Sequence, residues 1–287
     1  MMKTRKVLSM NDFANMIHEL LRSNRDVIIG TSGMTGEGKS TFSIKLQKKY
    51  SEIAGVPWSL KHNLTASRHS LMTWINGEPG SVADEVTGLK PGQKPMYSAL
   101  LADELILMFY NRKWSDNEQI NAIGDLNLFR SRRLLLCGNV PRFWRLDSAF
   151  LERVRYYVFV PKRGTAWVFQ QENNPFTDDP WNRKVNSRLV AENGNPYKSD
   201  NFIGEIIFGD LSGDEKLEYE ELRANLQLQD KKEAVEDDKF AHRLAIGYFA
   251  LSTGLSSRDL AVEFPIFGAS TYFRYMKLAE KDKALKG

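Results

Sequence analysis

A chain of 287 residues, 42% hydrophobic and 26% charged, is long enough for one sizeable domain and a smaller one, and too apolar for a disordered or collagen-like polymer. Its 40 Lys and Arg against 36 Asp and Glu leave a net charge of +4, too weak by itself to define a nucleic-acid partner. The single cysteine, Cys137, excludes a disulfide framework and a cysteine-cluster zinc site. The longest apolar stretch, residues 99–110, is short of the roughly 18 to 20 residues that a membrane span needs and carries Asp103 and Glu104. The basic N-terminus MMKTRKVLSM is not followed by an apolar leader. A soluble protein of a reducing interior is expected.

In chain order, Ser9 or Asn11 caps a predicted helix over 12–22, with Phe13, Ile17 and Leu20/Leu21 on one face. Residues 26–30 form a β-branched run ending in glycine, the pattern of a buried parallel strand. Residues 41–50 read as a helix. Further strands are expected at 98–102 and 133–138, and a hairpin at 155–161 and 166–171 around Lys162-Arg163-Gly164. Strands interleaved with helices predict an α/β layered domain. Residues 172–201, rich in Asn, Asp and Pro, read as a long surface loop. Residues 214–238 carry ten Asp and Glu against four Lys and Arg, an exposed acidic helix or linker, whereas 239–287 carries eight basic residues against four acidic ones. The expected division is 1–210, a linker at 211–238, and 239–287.

The strongest motif is Gly33-Met34-Thr35-Gly36-Glu37-Gly38-Lys39-Ser40, a complete G-x-x-x-x-G-K-[ST] loop between a strand and a helix, followed by Thr41. Its glycines let backbone N–H groups close around a phosphate, and the helix start adds its positive dipole end. Lys39 is expected to reach the β- and γ-phosphates of a nucleoside triphosphate, ATP, and the Ser40 hydroxyl to ligate Mg²⁺. Such a loop needs a second acidic group, and strand 99–102 ends in Asp103-Glu104. Asp103 is expected in the Mg²⁺ shell and Glu104 as the general base for water. Both residues also suit the start of a helix over 105–110. Asn139, ending the next strand, either senses the γ-phosphate or begins the turn before Pro141. Arginines cluster at 130, 132, 133, 142, 145, 153 and 155. One of them, with Arg153 as the candidate, is expected to reach a neighbouring subunit's γ-phosphate; singly, each also fits a solvated basic face. Phe143 and Trp144 fit either stacking on nucleic acid or a place in the core.

This order resembles the P-loop ATPases of the additional-strand catalytic-glutamate division. It comprises the Gly33–Ser40 loop, Asp103-Glu104, a helix from about Asn117 ending near Arg130 and Arg132, a strand to Asn139, and the segments 140–147 and 150–154. Within the division it is most similar to Zot-like and FtsK/HerA-type ATPases of phages, archaeal viruses and mobile elements. The resemblance covers about residues 25–170. It implies a RecA-like core with a mostly parallel sheet between helices, ATP hydrolysis, assembly into a homo-oligomeric ring, and translocation or packaging of DNA. It also implies a host-cytoplasmic or virion-associated location and a capsid, replication or packaging partner. Zot proteins look membrane-anchored, whereas no membrane span is expected in this sequence, and FtsK/HerA-type members typically place a glutamine where Asn139 stands.

The last stretch reads as helices over 240–253, 257–264 and 269–280, broken at Gly254 and Pro265. The arrangement resembles a helix-turn-helix module, with Ser270, Thr271, Tyr272, Arg274 and Lys277 on the outer face of the third helix. It fits either DNA binding or a small helical lid. The function expected is an ATP-hydrolysing motor acting on DNA. The alternative is an ATP-switched DNA-binding regulator or helicase loader, with a small-molecule kinase further behind.

Overall fold

The computed structural model describes residues 6–78, 80–103, 105, 132–172, 179–193 and 199–286. The chain divides into two compact units, Met1–Leu226 and Gln227–Gly287.

The first unit is built on a seven-stranded sheet of order β2-β3-β4-β1-β5-β6-β7. Its strands are β1 Val27–Gly33, β2 Leu64–Thr65, β3 Ala99–Ala102, β4 Leu135–Val140, β5 Val154–Lys162, β6 Thr165–Gln170 and β7 Phe202–Ile207. The pairs from β2 through β5 are parallel, and β6 and β7 continue the sheet antiparallel. Every residue of β1, β3 and β4 is buried, as both faces of a central parallel strand require. Side chains alternate along each strand. Val27, Ile29, Leu135, Cys137 and Tyr156 join one core layer with helices α1 (Met10–Arg22) and α2 (Lys39–Ala54). Ile28, Leu100, Leu136 and Val154 join the other, with α4 (Arg68–Asn76) and α5 (Ser148–Arg153); the short α3 (Leu60–Asn63) precedes β2. Burial pushes the Cys137 thiol up to about 12, so this cysteine is an inert core residue. This is an α/β fold, a mostly parallel sheet between helices, with a helical C-terminal region.

Several features depart from the sequence expectation. The stretch 172–201 contains a helix, α6 (Arg183–Asn193). Asp179 starts it by accepting from the Trp181 and Arg183 amides at 3.2 and 2.8 Å, and Trp181 plugs into the core at 5% exposure. The described side chains of this helix that follow Trp181 are mostly exposed, so no apolar period announced it. Strand β7 was also not foreseen, although its run Phe-Ile-Gly-Glu-Ile-Ile is the composition of a strand.

The helix α7, Gly213–Thr253, runs from the first unit into the second. Within the second unit, α8 (Ser257–Glu263) and α9 (Ala269–Lys286) close a small core of Ala250, Leu260 and Tyr272. Ser256 caps α8 by accepting from the Asp259 amide at 3.3 Å. Tyr272 does not lie on the outer face: it is 2% exposed, and its hydroxyl donates to the Phe264 carbonyl at 2.9 Å. Its ring packs among Ile246, Leu255, Phe264, Phe267 and Met276 in the core of the three helices. Ser270, Arg274 and Lys277 are exposed as expected.

Candidate nucleotide site

Strand β1 ends where the glycine-rich loop begins. Gly33 has φ +152°, and a Cβ there would stand 2.5 Å from the Val160 carbonyl oxygen of β5, so only glycine lets the two strands lie this close. Gly38, at φ +94°, occupies the N-cap of α2 and brings no side chain to cap it. The amides of the first turn therefore border a cavity of about 500 Å³, whose lining includes Thr35, Gly36, Gly38, Lys39, Ser40 and Thr41. An uncapped helix start beside successive backbone N–H groups is an anion site.

Lys39 lies over the loop, its ammonium donating to the Gly33 and Met34 carbonyls at 3.0 and 2.9 Å. Burial lowers its pKa from the ordinary value, and the charge of Asp103 opposes that shift. Met34 points outward at 76% exposure, so it offers its backbone and not its side chain. Glu37 is turned away from the phosphate position, accepting from the Arg163 amide at 3.0 Å. Arg163 in turn pairs with Asp210 at 2.7 Å.

The strand order brings the acidic tip to the loop. β4 stands between β1 and β3, with Thr31 opposite Asn139 and Ala102 opposite Gly138. Asp103, one residue beyond β3 and 5% exposed, thus faces Ser40 across the tip of β4, with 3.5 Å between Ser40 Oγ and Asp103 Oδ1. Asn139 bridges them. Its Nδ2 donates to Asp103 Oδ1 at 3.1 Å and to Ser40 Oγ at 3.3 Å, and its Oδ1 accepts from Ser43 at 2.8 Å. Asn139 therefore sits within β4 with its side chain in the site. Glu104 lies outside the described residues, as do Asn117 and Arg130.

Two further residues complete the cluster, and both come from α7. The Tyr219 hydroxyl donates to Asp103 Oδ2 at 2.7 Å and stands 2.8 Å from Ser40 Oγ. Burial, and secondarily the Asp103 charge, raises the Tyr219 phenol above its ordinary value, which keeps it a donor. Arg223 Nε is 3.3 Å from the same Oδ2. Neither residue was named from sequence. The signal available was the spacing Tyr219, Leu222, Leu226, an apolar stripe in an otherwise polar run, and all three pack on the sheet core.

The clustered arginines are dispersed. Arg153, at the end of α5, is 3.7 Å from Asp26 and does not line this cavity; Arg132 donates to the Lys94 carbonyl at 2.6 Å. Arg142 and Arg145 are exposed. Phe143 is a core residue, stacked on Tyr157 at 4.2 Å. Trp144 is 44% exposed and borders a second cavity of about 590 Å³, with Tyr157, Phe159, Trp167, Phe169 and Trp181.

The residues present fit a hard cation shared with phosphate. Ser40 and Asp103 offer oxygens only, and among the described residues no group of three or more His, Cys, Asp and Glu forms a metal cage. That donor set suits Mg²⁺, which keeps several waters and takes the rest of its shell from substrate phosphates. Among the described residues no helix is long and apolar enough to cross a membrane.

No family model matches the chain, and no curated protein does. Several solved structures are similar in part. The N-terminal domain of zonular occludens toxin from Neisseria meningitidis is 14% identical over 66% of this chain and 96% of its own, at a TM-score of 0.38. The genome packaging NTPase B204 from Sulfolobus turreted icosahedral virus 2, with AMP, is 15% identical over 62% of this chain and 90% of its own, at 0.34. A chain of the HORMA:CdnC:Trip13 complex from E. coli MS115-1 is 12% identical over 66% of this chain and 69% of its own, at 0.36. At these identities and TM-scores, the chemistry of the site stands on this chain's own residues.

Proposed function

We propose that the chain is a magnesium-dependent ATPase acting on DNA, as a packaging or translocation motor. One observation carries the hydrolase reading: Lys39, Ser40, Asp103 and Asn139, spread over a hundred residues of sequence, converge beside the uncapped start of α2. The insertion of β4 between the loop strand and the Asp103 strand supports placing the chain in the additional-strand division.

In this reading the amides of residues 36–41 take the β-phosphate, and Lys39 leaves its two carbonyl partners for the β- and γ-oxygens. Ser40 and Asp103 would hold Mg²⁺, which would supply charge neutralisation of the phosphates. Asn139 fixes the Asp103 carboxylate and is placed to orient water near the γ-phosphate. Glu104, next in the chain to Asp103, takes the proton of that water. Arg153, remote from its own chain's cavity, acts in trans if the protein assembles into a ring. The basic segment 239–287 contacts DNA through the exposed Ser270, Arg274 and Lys277.

The test is ATP hydrolysis with and without duplex DNA. DNA is expected to raise the rate, and Lys39→Ala and Glu104→Gln each to abolish it. A rate indifferent to DNA removes the motor reading and leaves a nucleotide hydrolase. The self-contained helical core of Ala250, Leu260 and Tyr272 favours a second reading, an ATP-switched DNA-binding regulator. Footprinting separates the two, because a regulator protects a fixed sequence and a motor does not.

A further inference from the structure

The first part of α7 reaches the site through a polar contact that neither phosphate binding nor the Asp103-Glu104 pair accounts for. Asp103 is nearly sealed from solvent at 5% exposure, and a carboxylate in such a place needs compensation. Its Oδ1 accepts from Asn139, and its Oδ2 is engaged by the Tyr219 hydroxyl at 2.7 Å and Arg223 Nε at 3.3 Å. The same Tyr219 hydroxyl is 2.8 Å from Ser40 Oγ. The two oxygen donors suited to Mg²⁺ are thus spanned by one phenol, and the positive charge beside them is a guanidinium.

We infer that Tyr219 and Arg223 are nucleotide-site residues that hold Ser40 and Asp103 until a magnesium–nucleoside triphosphate arrives, whereupon Arg223 exchanges Asp103 for the phosphates. The inference rests on the reading of this cavity as a magnesium–nucleotide site. An ion shared by Ser40 and Asp103 needs oxygens at about 2.0–2.1 Å in a near-octahedral shell, and a neutral phenol at hydrogen-bond distance from both competes for that space. Once a dication neutralises Asp103, the Arg223 guanidinium beside it is repelled. Arg223 lines the same cavity as Lys39 and Thr41, so a triphosphate offers it a new charge-assisted partner without movement of the backbone. The helix itself stays in place: Tyr219 is 8% exposed, Leu222 and Leu226 pack on the core, and Glu215 pairs with Lys48 of α2. The exchange is therefore confined to two side chains.

The experiment is equilibrium binding of fluorescent ATP and ADP analogues to the full chain across a Mg²⁺ titration, for wild type, Tyr219→Phe and Arg223→Gln. Removing the competing hydroxyl is expected to lower the Mg²⁺ concentration at half-maximal ATP binding severalfold. Removing the guanidinium is expected to cut the preference for ATP over ADP about tenfold, the size of one hydrogen bond to a charged group. Unchanged Mg²⁺ midpoint in Tyr219→Phe, with unchanged ATP-to-ADP ratio in Arg223→Gln, overturns the inference. Tyr219→Phe removes a single oxygen and decides the matter alone should Arg223→Gln not fold. A wild-type chain that binds no nucleotide at any Mg²⁺ concentration overturns the reading of the site itself, a separate result.

Discussion

Asn139 Nδ2 donates to Asp103 Oδ1 at 3.1 Å, tying the tips of two adjacent parallel strands to each other directly beside the phosphate loop. The same side chain accepts from Ser43 on α2, so one amide sets the distance between loop helix and carboxylate. Asn139→Ala leaves the Ser43 hydroxyl and one Asp103 oxygen without that partner in a buried place. We expect a loss of about 1–3 kcal/mol in stability and a fall in kcat larger than the change in nucleotide affinity. Urea unfolding and steady-state kinetics check both.

Gly33→Ala puts a methyl group 2.5 Å from the Val160 carbonyl oxygen, at a φ of +152°. The strands must separate at the point from which the loop departs. A destabilisation of about 1–3 kcal/mol is expected, together with weakened nucleotide binding. A variant with unchanged melting temperature and unchanged affinity would contradict this.

Lys39→Ala removes a cation that donates to two loop carbonyls and, among the described residues, has no acidic side chain within ion-pair distance. Its loss costs the fold little, because desolvation already disfavours the charge there. The melting temperature is expected to stay within a few degrees while nucleotide-induced stabilisation disappears. Thermal melts with and without Mg-ATP provide the comparison.

Glu215 begins α7 with a reciprocal cap, its carboxylate accepting from the Ser212 amide at 3.1 Å while its own amide donates to Ser212 Oγ at 3.3 Å. Lys48, foremost, and this cap hold its pKa down to about 2, from 4.5. A carboxylate depressed on folding stabilises the folded state above pH 4.5, and that contribution is lost as the pH falls toward 2. The stability gap between wild type and Glu215→Gln should therefore be constant near neutrality and close below pH 4.5. A gap that does not narrow between pH 4.5 and pH 2 contradicts the assignment.

Gly247→Ala probes the second unit alone. A Cβ at this position would lie 2.1 Å from the Tyr275 carbonyl oxygen, so α7 and α9 must part. Loss of DNA affinity with retained nucleotide binding is expected, read by electrophoretic mobility shift and fluorescent-nucleotide titration on the same sample.

The sequence by itself determined the loop, the strand that enters it, the Asp103 tip and the α/β layering. These are local patterns: a glycine spacing and continuous β-branched or apolar runs, each complete within about ten residues. It also contained the hairpin of β5 and β6, because a two-residue turn joins adjacent strands. Helix α6 was not legible, since its described residues are mostly exposed and its start depends on Asp179 and the buried Trp181. The burial of Tyr272 was likewise a property of three packed helices. Only the tertiary structure decided which distant residues meet at Asp103. Asn139 lies 36 positions away and Tyr219 116, and no local spacing encodes either contact. The strand order placed the first and the packing of an apolar stripe on α7 placed the second. The mild net charge of +4 was the average of an acidic run and basic flanks. Within that acidic run the fold singled out Arg223, one of its four basic residues, and set it against the buried carboxylate of Asp103.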